Sequence, residues 1–413
     1  MITKTDILVV GAGASGLAAA VSAGSMGAAV LVLEKKEQSG KKLLLTGNGR
    51  CNLTNRRIGT EDYYTHEPAF IERFLGKFQT EDALSFFREL GLFTTDRGDY
   101  VYPMSMQSAS VRQALSDRLQ DLQIPVLTGR NVRAAEYDSK TQLFLVHCED
   151  ADYQARRLIL SCGTSAGVRD KNPYLGEKLL RSFSHHVYPM KPALVSLLGN
   201  AGIEHLWDGV RHTAAVSFGA YRETGEIQFR KDGLSGIPVL QISHPVSEAL
   251  DRDGSAVLHL DFIPEFSGKE LEDVLLTRQK ALYGAERNIY DILSGFMPKK
   301  LIRPVLALAE EDGSRALNTL SESDIRRLSE KLKSCPYPVQ KTGTAESAQV
   351  MRGGADLREI SGDMESLLQK GLYITGELLD LDGRCGGYNL HFAWGSGIFA
   401  GKAAAHSLLS KFE

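Results

Sequence analysis

The sequence has few cysteines: its 413 residues hold five, Cys51, Cys148, Cys162, Cys335 and Cys385, with no CxxC pair. An odd, scattered set supports neither a disulfide framework nor a zinc site, and it points to a reducing, cytoplasmic setting. His185-His186 has no acidic partner spaced for metal, so no metal site is expected. Long apolar runs are also missing. The most apolar stretch, Ile7 to Met26, is broken by Gly11, Gly13 and Gly16, and no other approaches roughly 18 uninterrupted apolar residues. Neither a leader's apolar core nor a membrane span is expected. Charge of one sign is absent as well: 48 Lys and Arg stand against 51 Asp and Glu, a net charge of -3. Without a basic field, nucleic acid and anionic membrane are not expected partners. No G-x-S-x-G elbow occurs, which argues against serine-type nucleophilic catalysis.

What is present is a chain too long for one core, so two or three domains are expected. Asp6–Val10 and Ala29–Glu34 are continuous apolar strands that flank an alanine-rich helix, Ala14–Met26. Continuous runs, unlike alternating ones, suit a parallel sheet covered on both faces. Further strands fit Val126–Leu127, Leu143–His147 and Leu158–Ser161, with amphipathic helices between them, Ser108–Leu122 among these. Past Tyr188 the pattern becomes strand after strand: Ala193–Leu198, Ala214–Ala220, Gly225–Phe229, Pro238–Ser243 and Ala256–Phe262. Helices then fit Glu270–Tyr283 and Ser323–Lys333, the latter with a Ser321/Asp324 capping signature. Beyond Pro336 and Pro338, strand Leu372–Thr375 and a helix from about Asn389 restore the α/β character.

Gly11-Ala12-Gly13-Ala14-Ser15-Gly16 follows the first strand and opens the first helix. In a dinucleotide fingerprint Gly11 would permit the tight turn, Gly13 would admit a pyrophosphate and Gly16 would let helix and strand pack closely. The helix start at Ala14 and Ser15 offers unpaired N–H groups to the phosphates. Glu34 ends the second strand, where a carboxylate accepts ribose hydroxyls, and its charge favours NAD or FAD over NADP. The fold class is therefore α/β, a Rossmann-type domain built from residues 1–190 and 340–413. It is interrupted by an insert with an antiparallel, barrel-like part (191–265) and a helical part (266–339). A second glycine loop, Gly47-Asn48-Gly49-Arg50-Cys51-Asn52, is too rich in glycine and amide for a strand or helix. Its N–H groups and Arg50 suit phosphate or the polar edge of a flavin.

The run from Glu34-Lys35 through Lys41-Lys42 to Thr46-Gly-Asn-Gly-Arg-Cys-Asn-Leu-Thr-Asn55 resembles a family of bacterial flavoproteins. Its members are labelled NAD(P)/FAD-dependent oxidoreductases and include 3-dehydro-bile-acid Δ4,6-reductases and aminoacetone oxidases. The family loop reads S/T-G-G-G-R-C-N-x-T-N, and Asn48 departs from it. The resemblance continues at Tyr102-Pro103-Met-Ser105, Gly233-Leu-Ser235-Gly236-Ile-Pro238, Gly376-Glu377-Leu-Leu-Asp380-Leu-Asp382-Gly383 and Gly386-Gly387-Tyr388-Asn389-Leu390. Two elements depart: a T-x-G-G-V segment is Met351-Arg-Gly353-Gly354-Ala355 here, and a Thr-His pair is Arg230-Lys231.

The resemblance implies FAD, with Lys35 and Lys42 joining the two glycine loops around it. Gly376 and Glu377 would meet the ribityl chain, and Val132 the adenine through its backbone. Gly163 and Thr164 would lie where the chain passes the pyrophosphate again. A helix opening at Gly387, Tyr388, Asn389 and Leu390 would face the flavin N1/C2=O edge, where its positive end suits negative charge. Cys51, Cys162 and Cys385 read as small fillers of close-packed cofactor loops.

With one fingerprint only, NAD(P)H is expected as a transient electron donor. The expected reaction exchanges hydride between flavin and a small organic substrate, foremost reduction of an activated C=C bond in a steroid or bile-acid enone. Two alternatives are an aminoacetone-type amine oxidase using O2 and a flavin-binding RNA-modification or structural partner. Arg384, Tyr388 and His391 are the catalytic nominees, with His244 in the insert as another proton donor. The oligomeric state stays open.

Overall fold

The computed structural model describes residues 2–168, 174–281 and 287–409. The chain clusters into two compact units, Met1–Lys191 with Val350–Glu413, and Pro192–Gln349.

In the first unit the strands Thr3–Val10 and Val30–Leu33 pair in parallel, Ile7 opposite Val30, and their apolar runs are buried throughout that register. The sheet runs Val126–Leu127, Val30–Leu33, Thr3–Val10, Asp152–Leu160, with Leu372–Ile374 parallel to the last of these. Ser108–Asp121 is a helix, as its spacing suggests. No helix separates the next strands, contrary to expectation. Val132–Asp138, Leu143–Cys148 and Asp152–Leu160 follow one another as an antiparallel meander. The helix Ala14–Ser25 is buried on every face from Ser15 to Ala23 because the final helix, Tyr388–Leu409, lies directly against it. Gly397 and Gly401, one turn apart, make that approach possible: a Cβ on either would fall 2.2 Å from the Ser15 or Ala19 carbonyl oxygen. The two ends of the chain thus meet backbone to backbone beside the fingerprint.

The second unit is built on a closed barrel of six strands, in order Leu197–Gly199, Gly233–Ser235, Tyr221–Arg230, Val210–Phe218, Ala256–Asp261, Cys335–Thr342. Three expected elements differ. Pro238–Ser243 is no strand but part of the helix Ile237–Asp253. Val239, Ile242, Val246 and Ala249 are its buried stripe, at helical spacing, and Pro238 sits in the first turn, where its missing N–H costs nothing. His244 is consequently buried inside a helix, its Nε2 3.4 Å from Glu248 Oε1, rather than presented at a strand end. Ala193–Leu198 is split, because Leu194 takes φ 48° between the strands Val187–Ala193 and Leu197–Gly199. The prolines at 336 and 338 lie in the strand that closes the barrel, with Cys335, Tyr337 and Val339 facing its core.

The helices Gly268–Ala281 and Glu322–Lys333 fall where expected, although Tyr283, the anticipated end of the first, lies outside the described residues. The Ser321/Asp324 cap forms in both directions, at 3.2 and 3.0 Å. Arg230 ends its strand and Lys231 opens the exposed turn after it, with Arg230 paired to Asp232 at 3.2 Å. Among the described residues no helix is long and apolar enough to cross a membrane.

Candidate active site

The fingerprint glycines do three different jobs. Gly11 has φ 103°, and a Cβ there would fall 2.4 Å from the Ser161 carbonyl oxygen. A Cβ on Gly16 would fall 1.9 Å from the Gly11 oxygen, so this position packs helix against strand. Gly13 differs: no heavy atom lies within 4 Å of its Cβ position. The protein does not need glycine there, whereas a ligand lying along the backbone does. Leu17 N–H is the first to find an intrahelical carbonyl, that of Gly13 at 2.9 Å, and no side chain caps the helix. The N–H groups of Ala14, Ser15 and Gly16 therefore precede the hydrogen-bond ladder, the position at which a helix start can receive an anion.

Glu34 is buried at the end of its strand, and its oxygens already accept two backbone donors. Ala12 N–H reaches Oε2 and Lys36 N–H reaches Oε1, both at 2.8 Å. The carboxylate thus holds the fingerprint turn closed and keeps a lone pair on each oxygen, which a ligand hydroxyl could reach. Lys35 beside it is half-buried.

Lys42, Thr164 and Glu377, far apart in sequence, converge. Glu377 accepts from Lys42 Nζ at 2.6 and 2.8 Å and from Thr164 Oγ1 at 2.8 Å. Gly376 before it has φ 62° and donates its N–H to Ser396 Oγ at 3.1 Å, which ties this turn to the final helix. Gly163 (φ 63°) also has clear space beyond its Cα. Val132 is buried at the start of its strand, so only its backbone could reach a ligand.

The second glycine loop is not wholly irregular: Leu43–Gly49 forms short helical turns broken at Thr46, Gly47 and Asn48. Asn48 adopts φ 56°, a left-handed conformation that asparagine tolerates, which accounts for this departure from the family loop. Gly47, Asn48 and Arg50 are exposed, while Cys51 and Asn52 are buried. Burial pushes the Cys51 thiol up to about 12, so it is no redox thiolate at neutral pH.

This loop is fastened to the start of the final helix by contacts that no local pattern reveals. Asn55 Nδ2 donates to the Gly386 oxygen at 2.9 Å, and Trp394 Nε1 donates to the Leu53 oxygen at 3.0 Å. A Cβ on Gly387 would fall 2.7 Å from the Thr54 oxygen. Asn389 spends its side chain on Gly383, accepting its N–H at 2.8 Å and donating to its oxygen at 2.7 Å. His391 N–H is the first in this helix to meet an intrahelical carbonyl, so the N–H groups of Tyr388, Asn389 and Leu390 precede the ladder. Residues 384–390 form a half-exposed run between buried flanks.

Of the three catalytic nominees, two lie on that run and the third does not. Arg384 stands beside Asp62, while Asp380 Oδ2 accepts the His66 N–H at 3.0 Å and lies 2.9 Å from its ring Nδ1. The Tyr388 phenol lies near Asp62, and burial pushes it up to about 12. His391 is fully buried. Its Nε2 lies 3.3 Å from the Phe78 carbonyl, which can only accept, so Nε2 carries the proton and Nδ1 accepts from the Thr54 hydroxyl at 2.9 Å. Both nitrogens are occupied, and His391 is corrected from proton donor to a structural pin.

Burial also drives its pKa down to about 4. Protons therefore bind the unfolded imidazole first as pH falls from about 6.5 toward 4, and stability is lost over that window. Urea unfolding at pH 7 and pH 4.5 should show His391→Gln losing less stability across this range than the parent, by about 2–3 kcal/mol. An equal loss in both proteins would place the titrating group elsewhere.

Thr54, Asn55 and Tyr102 belong to the sequence motifs, whereas Asp62, Tyr63 and Tyr100 carry no motif of their own. Tyr100 and Tyr102, alternate residues on one strand, face Gly386 and Gly47 respectively, spanning both glycine turns. Tyr63 Oη donates to the Tyr388 oxygen at 3.0 Å. The buried Asn52 Oδ1 has no hydrogen-bond partner among the described residues. The uncapped start of the first helix, the N–H groups ahead of the ladder in the final one and the clear space at Gly13 fit a flavin dinucleotide in chemistry as well as in room.

The comparisons with known proteins agree. A 3-dehydro-bile acid delta(4,6)-reductase of Clostridium scindens is 37% identical over 406 residues, 96% of this chain and 98% of that protein. A ribosomal RNA dihydrouridine synthase of Escherichia coli is 28% identical over 95% of this chain and 96% of its own length. In fold, the chain resembles 3-ketosteroid delta1-dehydrogenase from Sterolibacterium denitrificans, with TM-score 0.55 at 14% identity, covering 98% of this chain and 100% of that one. The protein is an FAD-dependent oxidoreductase. It belongs to the family described as HI0933-like protein Rossmann domain, whose model matches residues 5–403.

Proposed function

We propose that this enzyme reduces a carbon–carbon double bond conjugated to a carbonyl, in a small polycyclic enone of the steroid or bile-acid type. The observation that carries the reading is the 37% identity, over nearly both full lengths, to a protein named for reducing such a bond. The reaction class draws support from the second relative too. Dihydrouridine is uridine reduced at the C5–C6 bond, which is conjugated to the C4 carbonyl, so both names describe the same chemistry on different substrates. FAD, when bound, supplies the hydride chemistry. The chain's own residues must then bring a proton to the carbon α to the carbonyl and polarise the carbonyl oxygen. Tyr388 and Arg384, on the half-exposed run, suit those two tasks. NAD(P)H visits transiently as reductant, and the five free cysteines fit a cytoplasmic protein.

A second reading, reduction of uridine in ribosomal RNA, is favoured by the E. coli relative. The net charge of -3 speaks against a large phosphate-binding face. Anaerobically reduced enzyme mixed with a 3-oxo-4-ene steroid is expected to reoxidise within the mixing experiment and to yield the saturated ketone. Reoxidation by uridine-containing ribosomal RNA but not by the steroid would move the assignment to RNA. Turnover of aminoacetone with O2 and no enone reduction would overturn it altogether.

A further inference from the structure

We propose that Tyr100, Tyr102, Met104 and Phe93 form the face on which the fused hydrocarbon rings of the substrate lie, so that this strand surface sets the enzyme's preference for a polycyclic enone. The inference rests on the enone reading above and places the part of the substrate that does not react. The strand Tyr100–Pro103 pairs antiparallel with Thr94–Arg97 on one side and with Thr54–Asn55 on the other. Its side chains alternate: Val101 and Pro103 are buried, which turns Tyr100, Tyr102 and Met104 to the opposite face. Met104 N–H donates to the Phe93 oxygen at 2.9 Å, extending the pairing by one residue and bringing Phe93 opposite Met104 on that same face. Phe93 is 66% exposed, Met104 63% and Tyr100 39%. A strand face turned to water ordinarily carries polar residues, so a contiguous aromatic and apolar stripe marks a binding surface.

The stripe begins where the reaction is placed. Asn55, opposite Tyr100, donates to the Gly386 oxygen at 2.9 Å. Tyr100 Cε1 and Tyr388 Cε2 stand 3.0 and 2.8 Å from the Cβ position of Gly386, so the two rings flank one point of the half-exposed run. From there Tyr102 and Met104 lead away along about 13 Å of strand, long enough for several fused rings. A flat hydrocarbon skeleton suits this surface. Aromatic rings offer broad apolar area, and the unbranched thioether of Met104 adapts to an irregular edge. The charges beside it point the same way. Arg56 is spent on Glu81 and Asp96 at 2.7 and 3.1 Å, and Arg57 on Asp99 at 2.8 Å, rather than held out toward phosphate.

The test sets two enones against the photoreduced holoenzyme: a 3-oxo-4-ene steroid, and 2-cyclohexenone, which shares the reacting group and lacks the other rings. The second-order rate constant for reoxidation is measured with each. In the parent the steroid should react faster. Phe93→Ser/Met104→Ser should cut the ratio of the steroid to the cyclohexenone rate constant about 10- to 100-fold, through loss of apolar contacts that only the larger substrate reaches. Flavin content and melting temperature should match the parent's, since both side chains are exposed. Phe93→Ser alone, with a smaller fall in the ratio, serves where the double variant does not fold. An unchanged ratio, or both enones slowed equally, would overturn the proposal. So would variants that keep the steroid preference but lose reoxidation by uridine-containing ribosomal RNA, which would give the face to a nucleobase. A parent that reduces neither enone would instead sink the reading beneath it.

Discussion

Gly13→Val is expected to emerge folded and colourless, and Gly16→Val is expected not to fold. The two residues belong to one six-residue motif, yet the structure separates them. At Gly13 the backbone is extended, φ -82° and ψ -168°, a region that valine favours. No protein atom stands within 4 Å of the new Cβ, so the apo-protein's stability should change by no more than about 0.5 kcal/mol. The space the valine fills is the one a pyrophosphate needs beside the N–H groups of Ala14 to Gly16, and FAD retention should be abolished. At Gly16 the Cβ would stand 1.9 Å from the Gly11 oxygen in a fully buried helix–strand contact. Relieving that overlap means prising the first helix off its strand, at a cost of about 3 kcal/mol or more. The ratio of flavin to protein absorbance and the melting temperature of the apo forms decide the matter. Normal flavin content in Gly13→Val would make its open flank incidental. A Gly13→Val protein as unstable as Gly16→Val would mean that the glycine serves the fold.

Local chemistry explains what could be read in advance and what could not. The first strand, helix and second strand were legible because a parallel strand buried on both faces needs an unbroken apolar run, and Ile7–Val10 and Val30–Leu33 provide it. Ile237–Asp253 was misread because Val239 to Ile242 is short, apolar and preceded by a proline. The signal that settles it lies further on, where Val246 and Ala249 continue the stripe at helical spacing. The strand Cys335–Thr342 was hidden by its prolines, and its partners, Leu197–Gly199 and Ala256–Asp261, are remote in sequence. Pairing of that kind leaves no local trace.

The same division runs through the site. Motif glycines carry their reason in their own backbone, so Gly11 and Gly16 could be assigned roles from spacing alone. His391 could not: one turn into a helix it looks like a poised acid, and only Thr54 and Phe78, more than three hundred residues away in the chain, show it to be pinned. The convergence of Lys42 and Thr164 on Glu377 was equally invisible, since ion pairs across such separations follow from topology.

Tyr388→Phe is expected to slow enone reduction by about 10²–10⁴-fold while leaving reduction of the flavin by its donor near the parent rate. Burial holds the phenol's pKa near 12, so at neutral pH the hydroxyl always carries the proton it would give. Asp62 lies near that hydroxyl, its carboxyl pushed up by burial against the pull of the Gly59 N–H and of Arg384. Phenylalanine keeps the ring, its edge-on contact with Tyr63 at 6.1 Å and the glycine turn beneath it, and it removes only the transferable proton. Arg384→Ala should lower the rate of the same half-reaction by about 10²–10³-fold if the guanidinium polarises the substrate carbonyl. Its effect should appear chiefly in the rate at saturating enone, because the charge is needed most where the oxygen becomes negative. His391→Gln, which leaves the half-exposed run untouched, should reoxidise at the parent rate at pH 7. Stopped-flow traces of each photoreduced variant against the enone, with flavin content matched, separate these outcomes. A Tyr388→Phe enzyme that reoxidises as fast as the parent would remove the phenol from the reaction. An Arg384→Ala enzyme that slows only through a higher KM would make the arginine a binding residue and not an electrophile.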